Sequence, residues 1–274
     1  MKKIAFFFSI AMLIIAACSQ KKPAEKTILG LGTEYFLFPE SLNGRVKEMR
    51  ETSYWAVEKD GKLTKGNHIT WKEFDSIQST KNLAAYFDNT GALTRYEILD
   101  DDNSARNSRI GTFENGKCTR WDYKLRDSTT YYMTPLYNES GDFIGLTGYR
   151  PVVDTLVVTH KYKLDENGRV TEFEYFDYKS EKTGHHECLL SDDGKVLDIK
   201  YFDRNDSVQF TMMNIYNDQG FFVKQEVGTP NQDQKTVWLV KDFVLDDHGN
   251  WVQGSVDINH GLFKLITERS FVYY

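Results

Sequence analysis

Apolar and polar positions along the chain repeat one pattern. An apolar residue, an acidic or amide residue, two polar positions and a glycine are followed by apolar residues two, five and seven places after the glycine. The pattern is clearest in YKLDENGRVTEFEYF (Tyr162–Phe176) and recurs in AYFDNTGALTRYEIL and CLLSDDGKVLDIKYF. Aligned on Gly91, Gly116, Gly141, Gly168, Gly194, Gly220 and Gly249, the intervals are 25, 25, 27, 26, 26 and 29 residues. Self-similarity at such a period marks a repeat architecture. Three residues before the glycine stands Asp88, Asn138, Asp165, Ser191, Asn217 or Asp246; the Gly116 unit is one residue shorter, with Phe113 as its apolar member. Such side chains bind the backbone two residues on, and glycine supplies the positive φ that closes a hairpin through a bulge.

The later apolar positions form the sets Leu93/Tyr96/Ile98, Cys118/Trp121/Tyr123, Val170/Phe173/Tyr175 and Val196/Ile199/Tyr201. A step of three and then of two breaks strict alternation once, as one extra residue in a strand would. A looser turn such as DRNDS (Asp203 to Ser207) ends the second half of a unit, so each unit supplies about two strands. No segment carries a sustained helical period. The pattern predicts an all-β fold: an antiparallel meander of about 26-residue, two-strand repeats forming a curved or rolled sheet. Whether the sheet stays open or closes into a barrel is left undecided.

LDENGRVTEF and YFDNTGALTRY resemble the unit of YD-repeat (RHS-like) proteins, which reads Tyr-Asp-x-x-Gly-Arg-Leu. The closing LDDHGNWVQGSVDINHGLFKLITERSFVYY looks like the end of lipid-anchored YD-repeat-like proteins of gut-type Bacteroidota. The resemblance covers roughly Tyr86 to Tyr274, with a weaker start at LNGRVKEMRETSYW and EKDGKLTKG. The longer period, the frequent replacement of the Tyr-Asp pair and the absence of a toxin or self-cleaving cassette set the chain apart from large RHS proteins. The resemblance implies a curved β-repeat sheet and carries no catalytic residue with it.

The N-terminus changes the picture by indicating location. Lys2 and Lys3 precede the apolar run Ile4–Ala17, which is too short for a bilayer span and of secretory length. It ends in Ile15-Ala16-Ala17-Cys18, which resembles a bacterial lipobox. The resemblance implies cleavage between Ala17 and Cys18 and acylation of Cys18 by palmitate-type chains, two or more of which anchor a protein durably. The expected organisation is a signal peptide over 1–17, a polar tether over 18–27 and one β-repeat domain over 28–274, with regular repeats from about 84. Ser19 carries no Asp-type retention signal, so the outer membrane is the expected site.

Without Lys2 and Lys3, the 34 basic residues fall to 32 against 40 acidic, a net charge of −8. This balance, with no Lys/Arg run, excludes nucleic acid as a partner. Cys118 and Cys188 are read as free, buried thiols. Tyr86, Tyr131, Tyr175 and Tyr201 each adjoin a second aromatic residue, so one ring of each pair must face away from the core. These four are candidates for contact with an envelope protein or a glycan. His185 and Glu187 would share a strand face and could form half of a metal site, with His160 as a third ligand, but the spacing matches no metal motif. The expected function is therefore a non-catalytic binding or scaffolding role in the cell envelope, not an enzyme, with no cofactor. The alternative is a metal-dependent hydrolase using the His185/Glu187 region.

Overall fold

The computed structural model describes residues 26–28, 41–77, 82–230 and 235–274, with the backbone alone for 26–28, 41 and 75–77. Strands β1 (Lys26–Ile28) and β2 (Ser41–Asn43) pair with each other. They are followed by β3 (Val46–Lys59), β4 (Lys62–His68), helix α1 (Trp71–Ile77), β5 (Leu83–Phe87), β6 (Leu93–Leu99), β7 (Ala105–Glu114), β8 (Lys117–Leu125) and β9 (Ser128–Tyr137). Then come β10 (Phe143–Arg150), β11 (Thr155–Leu164), β12 (Val170–Asp177), β13 (Lys182–Leu190) and β14 (Val196–Asp203). The chain ends with β15 (Val208–Tyr216), β16 (Phe222–Gly228), β17 (Thr236–Leu245), β18 (Trp251–Ile258) and β19 (Phe263–Tyr273).

From β5 to β19 each strand pairs antiparallel with the next. The meander does not stay open, because β19 pairs with β3 from Leu265↔Trp55 to Tyr273↔Val46. The other edge of β3 serves two partners, β5 through Glu48–Glu51 and β4 through Tyr54–Lys59. The result is a closed ring of sixteen strands, β3 and β5–β19, with β4 as an arm beside the upper half of β3. Closure leaves no sheet edge unpaired around the ring. The ring begins at Val46, well before the regular repeats expected from about 84.

Each glycine turn is built alike. Gly168, at φ 75°, donates its N–H to the Asp165 carbonyl at 3.0 Å, and Asp165 donates to the Arg169 carbonyl at 2.8 Å. Asp165 Oδ1 accepts from the backbone N–H of Asn167 and of Arg169, both at 2.9 Å. The acidic residue is thus engaged by the backbone, as the turn chemistry predicts. The short Gly116 turn instead places Asn115 and Gly116 together at positive φ, a type I′ hairpin. Three residues beyond each glycine the register skips one residue: Thr94, Thr119, Ile144, Thr171, Leu197, Val223 and Val252. This is the extra residue behind the broken alternation. At Thr94, Thr119 and Thr171 the hydroxyl donates to the carbonyl of Tyr86, Thr112 and Lys163, at 3.1, 3.2 and 3.4 Å.

Residues two places after the glycines (Leu93, Cys118, Phe143, Val170, Val196, Phe222 and Trp251) form an inward belt, none more than 5 % exposed. Five places after them, Tyr96, Trp121, Leu146, Phe173, Ile199 and Gln225 form a second belt that is also buried. A round barrel of sixteen strands would leave a water-filled lumen and wet inner walls. Here the two belts fill the interior at their own level, most of them as one packed cluster, whereas Tyr131, Tyr175, Tyr201 and Phe210, which face inward farther from the glycine turns, are half-buried. The outer wall is charged: Lys163 meets Glu172 across β11–β12 at 2.7 Å, and Arg120 meets Asp122 on β8 at 2.7 Å.

Helix α1 is an element the periodicity does not predict. The Glu73 side chain accepts from both the N–H and the hydroxyl of Thr70 at 2.7 Å, a capping arrangement at the helix start. Phe74 is buried with Ile69, Ile258 and Leu265, while Trp71 lies under Arg106 and its N–H donates to Asp101. The helix therefore bridges the β18–β19 wall and the β6–β7 turn across one end of the barrel. The other end, where the glycine turns lie, receives β2: Leu42 enters the core, and Asn43 exchanges backbone–side chain hydrogen bonds with Asn250 at 2.7 and 2.9 Å.

Candidate functional site

The inner wall of β11–β15 gathers the titratable rings. His160 and Tyr175 stand opposite each other in the ladder, as do Phe173 and His186, His186 and Tyr201, and Tyr201 and Phe210. Phe173 is a belt residue, Tyr175 and Tyr201 lie two places beyond belt residues Phe173 and Ile199, and directly opposed residues share a face, so all of these rings point inward. Tyr175 Oη lies 2.5 Å from His186 Nδ1, and the His160 and Tyr175 rings meet edge to face at 4.9 Å. Burial depresses His160 to about 3 and pushes His186 well below the usual histidine range, an effect that the neighbouring His185 and His160 reinforce. Both rings are neutral at pH 7. Burial likewise raises Tyr175, and it raises the Cys188 thiol to about 12 with Asp198 adding to the effect. A group of neutral histidines and protonated tyrosines can donate and accept hydrogen bonds, but none is a ready nucleophile.

The expected metal set does not converge. His185 and Glu187 do share one face, the outer one, opposite Glu174 and Lys200 respectively. His160 lies on the inner face, so the sheet itself separates it from His185. The His185 ring stacks on Phe202 with centroids 4.4 Å apart and 1° between planes, and its Nδ1 is 3.5 Å from Asp206. Among the described residues no group of three or more His, Cys, Asp or Glu side chains could hold a metal ion. Cys118 and Cys188 are free thiols on strands five apart.

The four tyrosines selected from adjacent-aromatic pairs divide between the faces. Tyr131, Tyr175 and Tyr201 turn inward, and the rings displayed outside are their neighbours Tyr132, Phe176 and Phe202. Tyr132 stacks on Tyr149 at 5.2 Å with Arg120 above it at 3.9 Å, and Lys161 lies over Phe176 at 4.7 Å. Tyr86 is the outward member of its pair: it accepts from Arg50 at 3.2 Å and donates to Glu97 at 3.1 Å. Its phenol is raised by partial burial and by Glu97. The adjacency reasoning holds, but three of the four chosen rings are the core-facing members. Cys18 and the cleavage position after Ala17 lie outside the described residues.

A feature absent from the sequence reading lies on the outside of β17–β19. The arm formed by β3 and β4 folds over this wall, pinned by Lys65 Nζ to Glu268 at 2.8 Å. Ile266, an outward residue of β19, is only 3 % exposed beneath it. The arm and wall enclose a cleft of about 550 Å3, lined by Glu58 and Lys62 from the arm and by Lys241, Asp242, Ser255 and Lys264 from the wall. No sequence motif could have shown this site, because it forms where residues about 180 positions apart meet.

No family model matches the chain, and no curated protein is similar to it. Solved structures with some likeness include a porin-like protein from Bacteroides uniformis, at 8 % identity over 83 % of this chain and 96 % of that one, with a TM-score of 0.47. A porin-like protein from Bacteroides vulgatus is 12 % identical over 83 % of this chain and 98 % of that one, with a TM-score of 0.32. The Photorhabdus luminescens Tc holotoxin pore is 10 % identical over 84 % of this chain and 13 % of that one, with a TM-score of 0.30. Likeness at this level assigns neither activity nor location to the chain.

Proposed function

We propose that the chain is a lipid-anchored protein of the bacterial cell envelope, held at the outer membrane through Cys18, with a non-catalytic binding or scaffolding role toward a protein or a glycan. One combination carries the reading: a lipobox-like Ile15-Ala16-Ala17-Cys18 precedes a closed barrel whose outer wall is charged. A barrel that spans a bilayer presents an apolar outward band. Arg120, Asp122, Lys161 and Glu174 stand at mid-strand on the outer wall, where that band would be, which supports a barrel in water on a lipid tether. His160 and the His185/Glu187 pair face opposite sides of the sheet, which takes away the ligand set that the metal-dependent alternative needs. The hairpin build agrees with the YD-repeat resemblance, which still rests on the motif alone. The chain enters the barrel at the glycine-turn end, so the tether would bring that end toward the membrane and turn the α1 end away.

The test is metabolic labelling with an alkyne palmitate, combined with detergent phase partition. The expected result is label and detergent-phase recovery for the native chain, and loss of both for Cys18→Ala. Label that survives in Cys18→Ala, or a native chain without label, would overturn the anchor. In-cell crosslinking of the lipidated protein then shows whether its partner is a protein.

A further inference from the structure

We propose that the cleft beneath the β3–β4 arm binds an acidic saccharide. This gives the binding reading above a ligand class, and rests on that reading only for the ligand's setting. The cleft's volume falls within the roughly 300–1,000 Å3 usual for small-molecule sites. Three ammonium groups line it, from Lys62, Lys241 and Lys264, and none has an ion pair or hydrogen bond among the described residues. Lys65 on the arm, by contrast, is paired with Glu268, and beyond the cleft Lys224 and Lys235 pair with Glu226. On an acidic protein, three ammonium groups against the two carboxylates of Glu58 and Asp242 leave this lining net positive, which suits a ligand that brings its own negative charge.

The backbone has been distorted to shape this wall. Asp242 has φ 58°, and among the described residues it is the non-glycine with positive φ that lies inside a strand instead of at a turn. Register runs from Lys241↔Ser255 directly to Val244↔Gln253, so Asp242 and Phe243 form a bulge, and Ser255 Oγ donates to Asp242 Oδ2 at 2.5 Å. Bulges beside clefts re-aim side chains, and strained non-glycine backbone collects at functional sites. The carboxylates of Glu58 and Asp242 would repel a bare anion but accept from sugar hydroxyls. Gln253 adds both a donor and an acceptor, and Leu63 offers an apolar contact to the C–H face of a pyranose ring. Hydroxyl donors and an anionic group on one ligand satisfy this lining, as in a uronic acid.

The experiment is calorimetric titration of the mature lipidated protein in detergent with oligogalacturonate, with a neutral malto-oligosaccharide and inorganic phosphate as comparisons. Oligogalacturonate is expected to bind at least about tenfold more tightly than either, and binding should weaken as salt rises. The Lys241→Gln/Lys264→Gln double variant should lose about tenfold with an unchanged melting temperature, whereas Lys163→Gln on the paired outer wall should change affinity about twofold at most. Equal binding of phosphate, equal binding by the double variant, or no binding by protein that still carries lipid on Cys18 would each overturn the site. The last outcome would leave the anchored reading standing.

Discussion

Barrel closure makes a quantitative prediction at the seam. Arg269 on β19 and Glu51 on β3 stand directly opposite across it and point inward. Their side chains are 2 % and 4 % exposed, Nε lies 2.7 Å from Oε2, and the guanidinium sits 3.5 Å from the Trp251 ring centre. Arg269→Met keeps most of the stem but leaves the Glu51 carboxylate buried without that guanidinium. Breaking a buried pair in this way costs about 3–5 kcal/mol. At roughly 2–4 °C per kcal/mol for a domain of this size, the melting temperature should fall by about 6–20 °C. Glu51→Leu strands the opposite charge, with part of its cost offset by the Trp251 ring. The double variant strands neither and should lie within about 2 kcal/mol of the native protein. In an open sheet these strands would be two wet edges, and each single change would cost only about 0–1 kcal/mol. Calorimetry and urea titration of the four proteins measure the cycle. Single variants that lose less than about 1 kcal/mol, or a double that loses the sum of both, would refute a closed, dry seam.

Gly168 and Gly145 separate two reasons for glycine. At Gly168 an added Cβ meets nothing within 4 Å, so Gly168→Ala should cost only the left-handed backbone penalty of about 1–2 kcal/mol. At Gly145 the Cβ would fall 2.2 Å from the His160 carbonyl, so Gly145→Ala should cost about 2–3 kcal/mol in the same urea titration. The histidines predict a pH slope. His160 and His186 are depressed when folded, so the unfolded chain binds the extra protons, and stability is complete above about pH 6.5 and falls as pH drops toward 3. The slope is about 1.4 kcal/mol per pH unit for each buried histidine, and His160→Phe should remove one share of it in urea titrations across this range. Cys118 is fully buried and the Cys188 thiol is pushed up to about 12. Cys188 is half-buried, not buried as expected, so its protection rests on the raised thiol; both should react slowly with Ellman's reagent until denaturant exposes them, and fast reaction of Cys118 in the native protein would contradict its burial.

What could be read from the chain divides along physical lines. The turn and the bulge are local, so Asp165, Gly168 and the skipped Thr171 announce them within seven residues. The belts at Val170 and Phe173 follow from the same word. Closure is not local: it joins Val46 to Tyr273, and no pattern within one unit distinguishes a central strand from a seam. Helix α1 is only seven residues long, too short for a periodicity signal. Its capping pair, Thr70 and Glu73, was the available sign. The choice among adjacent aromatics failed for a related reason. Tyr175 and Phe176 must face opposite ways, and the bulge decides which faces in. Counting from Val170 through the skipped Thr171 puts Phe173 and Tyr175 inside, and so leaves Phe176 displayed.

The packed interior then constrains where function can reside. The belts from Leu93 to Trp251 and from Tyr96 to Gln225 are buried, so at their level packed side chains occupy the barrel interior. The neutral group around His160 and His186 lies on the same inner wall, beside the half-buried rings of Tyr175, Tyr201 and Phe210. The outside offers surfaces the repeat does not determine. The outer wall of β11–β15 is mostly satisfied by its own pairs, as Lys163 with Glu172 and Lys182 with Glu174 show. The arm interrupts that pattern: β3 extends past its β19 and β5 partners, β4 folds back beside it, and Ile266 is covered while Lys62, Lys241 and Lys264 make no ion pair among the described residues. The part of β3 beyond Trp55, and β4 beside it, has no part in closing the ring, and together with the bulge at Asp242 it shapes the cleft proposed above as a binding site.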